Sequence, residues 1–208
     1  MFYINLKGCN SSRKTTRVNC LLEYCRKHDF TIESKDYGLL VYNDEFRIFF
    51  FGKFLNGKIV GLDSKFLKNN SIIHRYELIK ELNEKHNLTY LITEGYFNNH
   101  ISLENENPKN LKLYGIDDFR FYVYLFDNDE EMFKSQESRS TQNIKRDKSK
   151  KHLKDLKRQA KHFLELPEVT QNNIKIYNYD DRNDRLVFDL FNDSYEYNPQ
   201  NLLNSEEW

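Results

Sequence analysis

The feature that most constrains the fold of this chain is the pattern of its first 22 residues. Residues 2–6 (FYINL) are typical of a short strand, because β-branched and aromatic side chains favour extended backbone. Small and polar residues follow from Gly8 to Thr15 (GCNSSRKT), and apolar residues then recur at helical spacing. The segment therefore predicts a strand, a tight turn and a helix in immediate succession.

A turn of this composition between a strand and a helix is typical of phosphate-binding loops. Its successive backbone N–H groups can surround an anion, and the helix N-terminus adds positive partial charge. Lys14 would add a full positive charge, and the Thr15 hydroxyl would face the Mg²⁺ of a nucleoside triphosphate. The residues expected to contact the triphosphate are Gly8, Asn10, Ser11, Ser12, Arg13, Lys14, Thr15 and Thr16.

The turn departs at one position from the phosphate-loop pattern G-x-x-x-x-G-K-[ST]. Arg13 stands where the pattern has its second glycine, and glycine tolerates backbone angles that arginine rarely adopts. The turn is therefore either reshaped around a nucleotide or has lost its function, and Arg13 is either a structural accident or an extra phosphate contact. The simplest alternative is an ordinary strand–turn–helix in which Ser11 and Ser12 cap the helix.

The composition limits the class of protein. A single domain over residues 1–208 is expected, and 16 Phe and 14 Tyr suffice for a packed interior. The formal net charge is zero, so the protein as a whole does not attract nucleic acid. Three cysteines without metal-ligand spacing are expected to be reduced thiols. The sequence shows no leader and no apolar run of about 20 residues, so we expect a cytoplasmic protein with no membrane partner.

The rest of the chain alternates strand patterns with helix patterns. Strands are predicted at residues 31–33, 39–42, 46–52, 89–93, 119–126 and 174–177, with a hairpin over 39–52. Helices are predicted at residues 71–86, from 127 onward, at the end of 134–162 and at 184–192, and loops at 53–63 and 98–112. This alternation predicts an α/β fold with a parallel sheet covered by helices on both faces.

Residues 134–162 differ from the rest of the chain in charge. They hold eleven basic and three acidic side chains, a net charge of +8 in a neutral protein. They could form a lid over the phosphates, from which Arg139 would stabilise charge on the transferred group. They could also contact DNA phosphates, although a solvated helix face is expected for most of these lysines. Four apolar residues are spaced to pack inward: Leu153, Leu156, Ala160 and Phe163.

Two acidic residues are candidates for chemistry. Glu94 ends a buried strand, and strand carboxyl ends line the ligand crevice of a parallel sheet. Glu94 could hold Mg²⁺ through water or take a proton from an acceptor, or a loop amide could simply satisfy it. Asp63 closes a glycine-rich segment and could be the general base for a hydroxyl proton, or the N-cap of a short helix.

Taken in order, these segments resemble the thymidylate-kinase-like P-loop kinases of bacteriophages. The resemblance spans most of residues 1–180 and rests on GCNSSRKTT, FFFGKFLNGKIVGLD, TYLITEGYF, and FYVYLFDNDEEMFKSQESR followed by a basic helix. The second of these looks like that group's G-[RK]-[YF] loop followed by glycine and aspartate. The resemblance implies the P-loop NTPase fold of nucleoside-monophosphate kinases, with a lid at about residues 134–150. Residues 193–208 would be an acidic tail.

The resemblance also implies transfer of the γ-phosphoryl group of ATP, with Mg²⁺, in the host cytoplasm. Lys14 and Thr15 would hold the phosphates and Mg²⁺, Asp63 and Glu94 would lie near the acceptor and the metal, and Arg139 would come from the lid. The group includes kinases of nucleotides and kinases that phosphorylate 5-hydroxymethyluridine within phage DNA.

The residues after Glu94 bear on the acceptor. Thymidylate-type kinases hold the acceptor's 5′-phosphate with an arginine just after the strand-end acidic residue, whereas here Gly95, Tyr96 and Phe97 follow. This difference leaves room for a hydroxymethylated base on DNA, on which Tyr96 and Phe97 could stack unless they are core residues. Two other classes of function stay open: a P-loop fold that has lost catalysis and serves in binding or regulation, and a nucleic-acid-binding module that uses residues 134–162.

Overall fold

A seven-stranded mixed sheet lies at the centre of the fold. The computed structural model describes residues 1–55, 58–60, 72–94, 108–138, 145–167, 169–180 and 186–193. The strands are β1 (Phe2–Gly8), β2 (Thr31–Lys35), β3 (Gly38–Tyr42), β4 (Arg47–Phe51), β5 (Lys53–Leu55), β6 (Lys58–Val60), β7 (Tyr90–Glu94), β8 (Asp118–Leu125) and β9 (Ile174–Asn178). The helices are α1 (Lys14–Lys27), α2 (Ile72–His86), α3 (Pro108–Leu113), α4 (Asp129–Glu137), α5 (Arg146–Leu164) and α6 (Leu186–Phe191).

The strands of the large sheet follow the order β2-β3-β4-β7-β1-β8-β9. From β4 to β9 the neighbouring strands are parallel, whereas β2, β3 and β4 form consecutive antiparallel pairs. The prediction of a parallel sheet is therefore correct for five strands and wrong for the edge. Short connections join β2, β3 and β4, and a short connection can only reverse the chain direction.

Strand β1 is first in the chain but central in the sheet. It pairs with β7 on one side and with β8 on the other. The chain moves from β1 out to β2 at one edge, returns through β3, β4 and β7, and then crosses β1 to reach β8 and β9. The strand order thus reverses beside β1, and in open α/β sheets ligands bind at such a switch point, outside the carboxyl ends of the strands.

Helices cover both faces of the sheet, as predicted. One core contains side chains of α2, α3 and α5, and the other contains side chains of α1 and α6. Successive β1 residues alternate between them, so that Tyr3 packs in the first core and Ile4 in the second. No helix in the described ranges combines the length and apolar character needed to cross a bilayer. The four residues predicted to face inward from α5 are all buried: Leu153, Leu156, Ala160 and Phe163.

Two segments predicted as loops contain regular structure. β5 and β6 pair antiparallel within the predicted loop 53–63, with Phe54 opposite Ile59 in the register. The helix α3 lies within the predicted loop 98–112 and begins at Pro108, a residue that is favoured in the first helical position. Leu111 anchors α3 in the core, where it is 1% exposed.

Candidate functional site

Residues 9–13, which we call the β1–α1 loop, connect the carboxyl end of β1 to the first residue of α1. Ser11 and Arg13 have positive φ angles of 67° and 60°, whereas Ser12 between them does not. An alternation of this kind is typical of a nest, in which successive backbone N–H groups surround an anion, and we call residues 11–13 the nest. The N–H group of Ser12 also donates to the carbonyl oxygen of Cys9 at 3.2 Å. Arg13 therefore adopts the left-handed conformation for which a glycine is usual, and the loop keeps this conformation without the second glycine.

The first glycine of the segment is required by a close approach. A Cβ atom at Gly8 would lie 2.3 Å from Ser12 Oγ and 2.8 Å from the carbonyl oxygen of Tyr124. The second of these contacts is to backbone of the neighbouring strand β8, which has little freedom to move. Gly8 thus lets the loop fold back against the strand ends.

Helix α1 begins without a side-chain cap. Its N-cap residue is Arg13, whose side chain makes no capping hydrogen bond, and no acidic residue lies in its first turn. The alternative in which Ser11 and Ser12 merely cap the helix is therefore wrong. Thr15 and Thr16 are the second and third residues of α1 and lie at its positive end.

The ammonium group of Lys14 is held over the β1–α1 loop. Lys14 Nζ donates to the carbonyl oxygens of Gly8 and Cys9, each at 2.9 Å, and lies 3.3 Å from Ser12 Oγ. These bonds keep a full positive charge beside the nest. An anion bound in the nest would offer stronger acceptors to the same ammonium group than two neutral carbonyls do.

Helix α4 fixes the outer side of the same loop. Ser135 Oγ donates to the carbonyl oxygen of Ser11 at 3.1 Å, and Gln136 Nε2 donates to that of Asn10 at 3.5 Å. The carbonyl oxygens of the loop are thus engaged by side-chain donors, so their partial negative charge is partly neutralised. No pattern in the sequence indicates these two contacts, because 124 residues separate Ser135 from its partner.

Thr15 and Glu94 meet beside the loop. Glu94 is the last residue of β7, and Thr15 Oγ1 donates to Glu94 Oε1 at 2.8 Å. The Glu94 side chain is buried, with 3% of the residue exposed, and its Oε2 atom has no hydrogen-bond partner among the described residues. Burial raises the pKa of Glu94, while the nearby charge of Lys14 and the hydrogen bond from Thr15 act in the opposite direction.

The donor set of this pair fits a hard divalent cation. Mg²⁺ prefers oxygen ligands and is commonly held by one or two carboxylates together with water and substrate phosphates. A hydroxyl and a carboxylate with one unpartnered oxygen supply the protein's share of such a set. Within the described ranges no group of three or more His, Cys, Asp or Glu side chains gathers into an all-protein metal site.

Arg13 and Arg17 tie the loop to the end of β9. Arg13 Nη1 lies 2.5 Å from Asp180 Oδ1, and its guanidinium group lies 5.6 Å from the ring centre of Tyr179. The buried Arg17 donates to the carbonyl oxygens of Ser12 at 3.3 Å and Tyr179 at 3.1 Å. Arg13 thus ties the loop to the end of β9, a role not among those predicted for it, and its contact with a phosphate stays a prediction. Its partner follows the last strand, at the edge where the parallel strands end, and the carboxyl-end rule could have pointed to it.

The three cysteines are buried and form no disulfide bond, which agrees with the prediction of reduced thiols. Cys9 lies in the β1–α1 loop, where burial raises the pKa of its thiol to about 11 even though Lys14 and Lys157 oppose the shift. The thiol is therefore protonated at neutral pH and is a poor nucleophile.

The structure brings together three of the predicted site residues, Lys14, Thr15 and Glu94. Asp63 and Arg139 lie outside the described residues and stay predictions, as do Tyr96 and Phe97. Comparison of the chain with protein-family models and with curated protein sequences returned no match of either kind. The function must therefore be argued from the geometry of the site.

Proposed function

We propose that the protein is a P-loop kinase that uses ATP and Mg²⁺ to phosphorylate a nucleotide or a hydroxymethylated pyrimidine in phage DNA. The observation that carries the proposal is the convergence of Lys14, Thr15 and Glu94 on one nest. The ammonium group lies over the nest, and the threonine hydroxyl binds a buried carboxylate that has a second, unpartnered oxygen.

The surrounding fold supports the same conclusion. A strand, a nest and an uncapped helix start follow one another at the centre of a mostly parallel sheet, at the point where the strand order reverses. This is the structural context in which the sequence pattern of a phosphate loop carries meaning. The resemblance to phage kinases supports the choice of a phosphotransferase within this class.

In the proposed mechanism the protein positions the reactants and stabilises charge. The loop N–H groups and Lys14 would bind the phosphate oxygens, and Thr15 and Glu94 would hold Mg²⁺. The metal, when bound, neutralises charge that develops on the phosphates. The bond from the γ-phosphorus to its bridging oxygen breaks as a bond to the acceptor hydroxyl forms. In our proposal Asp63 takes the hydroxyl proton, and Arg139 stabilises the transferred group.

The position of Arg13 supports a site that keeps its function. Its guanidinium group pairs with Asp180 and lies against Tyr179, while the Lys14 ammonium group keeps its own contacts with the loop. An arginine in the place of the second glycine is therefore compatible with a bound triphosphate in our proposal.

The proposal is tested by transfer from labelled ATP to a panel of deoxynucleotides, plain DNA and hydroxymethylated DNA. We expect Lys14→Ala to lower the transfer rate by about 10²–10³-fold, because it removes a charge placed where negative charge develops. Lys27→Ala, an exposed change on the same helix, is the matched control and should leave the rate unchanged.

Undiminished transfer by a folded Lys14→Ala protein would contradict the proposal. Calorimetry with Mg·ATP distinguishes a kinase from a P-loop protein that has lost catalysis. Binding heat without transfer to any acceptor would favour a binding or regulatory protein, and no heat at millimolar Mg·ATP would refute the nucleotide site.

A further inference from the structure

The basic residues of α5 are distributed unevenly around the helix. Every Lys and Arg of α5 is exposed, and four of them are spaced three, four and three residues apart. At 100° per residue this spacing places the four side chains within an arc of about 80° that points away from the buried face, over a length of about 15 Å. We call this set the basic stripe: Lys151, Lys154, Arg158 and Lys161.

The basic stripe is not needed to hold α5 in place. Other basic residues do this, since Lys157 Nζ donates to the Asp127 carbonyl oxygen at 3.0 Å and Lys150 lies 3.8 Å from Asp129. In contrast, Lys151, Lys154 and Lys161 form no ion pair with any side chain in the described ranges.

Arg158 has only a weak partner inside the helix. It pairs with Asp155 one turn away at 3.4 Å, an exposed contact of the kind that contributes little to stability. The apolar face of α5 supplies the burial that stabilises the helix. The four cationic side chains therefore lie in one row along the surface, although the stability of the fold does not depend on them.

The stripe belongs to a helix that is linked to the candidate site. Ser149, in the first turn of α5, donates to Gln136 Oε1 at 3.2 Å, and Gln136 in turn donates to the β1–α1 loop through Asn10. Two side-chain hydrogen bonds thus separate the start of α5 from the nest. Lys151, the first residue of the stripe, follows Ser149 by two residues, so the stripe begins in the part of α5 that is linked to the loop.

We propose that the basic stripe binds the phosphate backbone of a nucleic acid strand, so that the acceptor is a group carried on a polynucleotide and not a free mononucleotide. A mononucleotide carries its phosphates at one point and cannot engage four cations spread over about 15 Å. A nucleic acid strand presents a regular row of phosphates, which is the partner that such a stripe fits. Binding of the strand stands by itself, whereas the identity of the acceptor rests on the proposed function.

The test measures the affinity of the full-length protein for a labelled 30-base-pair DNA duplex of arbitrary sequence, without nucleotide, from 50 to 200 mM salt. Four phosphate contacts predict a slope of log K against log salt of about −3.6, or a loss of about 10²-fold in affinity over this range. Changing the four stripe residues to Gln should remove most of that slope, and the helix should persist because Gln is a good helix former.

The matched control changes four exposed lysines elsewhere to Gln, which alters the net charge equally: Lys27, Lys80, Lys85 and Lys112. The control should keep the slope and the affinity of the unmodified protein. Equal losses in both quadruple variants would show that only net charge matters, and a slope shallower than −1 in the unmodified protein would show that no stripe engages DNA. Either result overturns the inference.

The same preparations keep this inference separate from the proposed function. Lys14→Ala should bind DNA as the unmodified protein does, because its ammonium group lies in the loop and not on the stripe. If the protein binds DNA through the stripe but does not bind Mg·ATP, the DNA-binding surface is supported and the proposed kinase activity is refuted. The assigned acceptor would be overturned by a third result. In that result the stripe variant and the unmodified protein phosphorylate free deoxynucleotides at the same rate, and neither phosphorylates DNA.

Discussion

At the scale of single residues, Glu94 shows most clearly how the site departs from an ordinary core. The end of β7 is buried, yet its last side chain is a carboxylate with one oxygen that no described residue binds. A buried unpartnered polar atom costs free energy that folding alone does not recover. We infer that Glu94 serves ligand binding at a cost in stability.

We expect Glu94→Gln to raise the free energy of unfolding by about 1 kcal/mol, or the thermal midpoint by about 2–4 °C, because it removes an unpartnered buried charge but can still accept the Thr15 hydrogen bond. The same change should weaken Mg·ATP binding. Glu84→Gln, at an exposed position of α2, is the control and should leave both quantities unchanged. A lower midpoint for Glu94→Gln would mean that the carboxylate stabilises the fold.

The pH dependence of this difference follows from the direction of the pKa shift. Burial raises the pKa of Glu94, so the folded state holds the proton more tightly than the unfolded state does, and the group destabilises the fold increasingly as pH rises through its raised pKa. The gain in the free energy of unfolding from Glu94→Gln should therefore be greatest at neutral pH. It should shrink as pH falls below the ordinary carboxyl range, where both states of Glu94 are protonated.

At the scale of elements, the β1–α1 loop is held between a helix and a strand end. Helix α4 donates to its carbonyl oxygens on one side. The residues after β9 hold Arg13 and Arg17 on the other. Restraint of a loop in its binding conformation increases affinity because less conformational entropy is lost on binding. Arg13 thus supplies an ion pair with Asp180, which a glycine at this position could not form.

A double-mutant cycle on Arg13 and Asp180 measures this tie. We expect Arg13→Gly and Asp180→Ala each to weaken ATP binding by about two-fold, since the pair is partly exposed, and the double variant to be no weaker than either single one. Calorimetric dissociation constants for ATP give the coupling. Exact additivity of the two changes would show that the pair does not act as a unit. Arg146→Ala, which breaks an exposed pair with Glu137, is the control.

At the scale of the whole molecule, the candidate site joins four strands of the sheet. Gly8 ends β1, Glu94 ends β7, Tyr124 lies at the end of β8, and Asp180 follows β9. A ligand bound at this edge contacts groups held by distant parts of the chain. Its binding should therefore be linked to the global unfolding of the domain.

We expect Mg·ATP at one hundred times its dissociation constant to stabilise the protein by about 2.7 kcal/mol, which raises the thermal midpoint by about 5–10 °C. ATP without Mg²⁺ should raise the thermal midpoint by less. The Lys14→Ala change should remove most of the shift that Mg·ATP causes. Differential scanning fluorimetry measures all three. An equal shift for Lys14→Ala would mean that the nucleotide binds elsewhere.

The sequence determined the features that depend on short windows of chain. The strand–turn–helix start, the hairpin over 39–52 and the inward face of α5 follow from periodicity and side-chain type, and the structure has all three. Glu94 could be chosen as a site residue because a buried strand ends there. Gly8 could be recognised as part of the turn, although the contact that requires a glycine there lies on another strand.

Which strand ends meet, and what each polar side chain binds, became known only from the packed fold. The pairing of β4 with β7, that of Thr15 with Glu94 and that of Arg13 with Asp180 join residues far apart in the chain. Local preference fixes the conformation of a segment, whereas the partner of a charge depends on the order of the strands. That order follows from how the apolar faces pack, so the departure at Arg13 could be understood only after the sheet had placed Asp180 beside it.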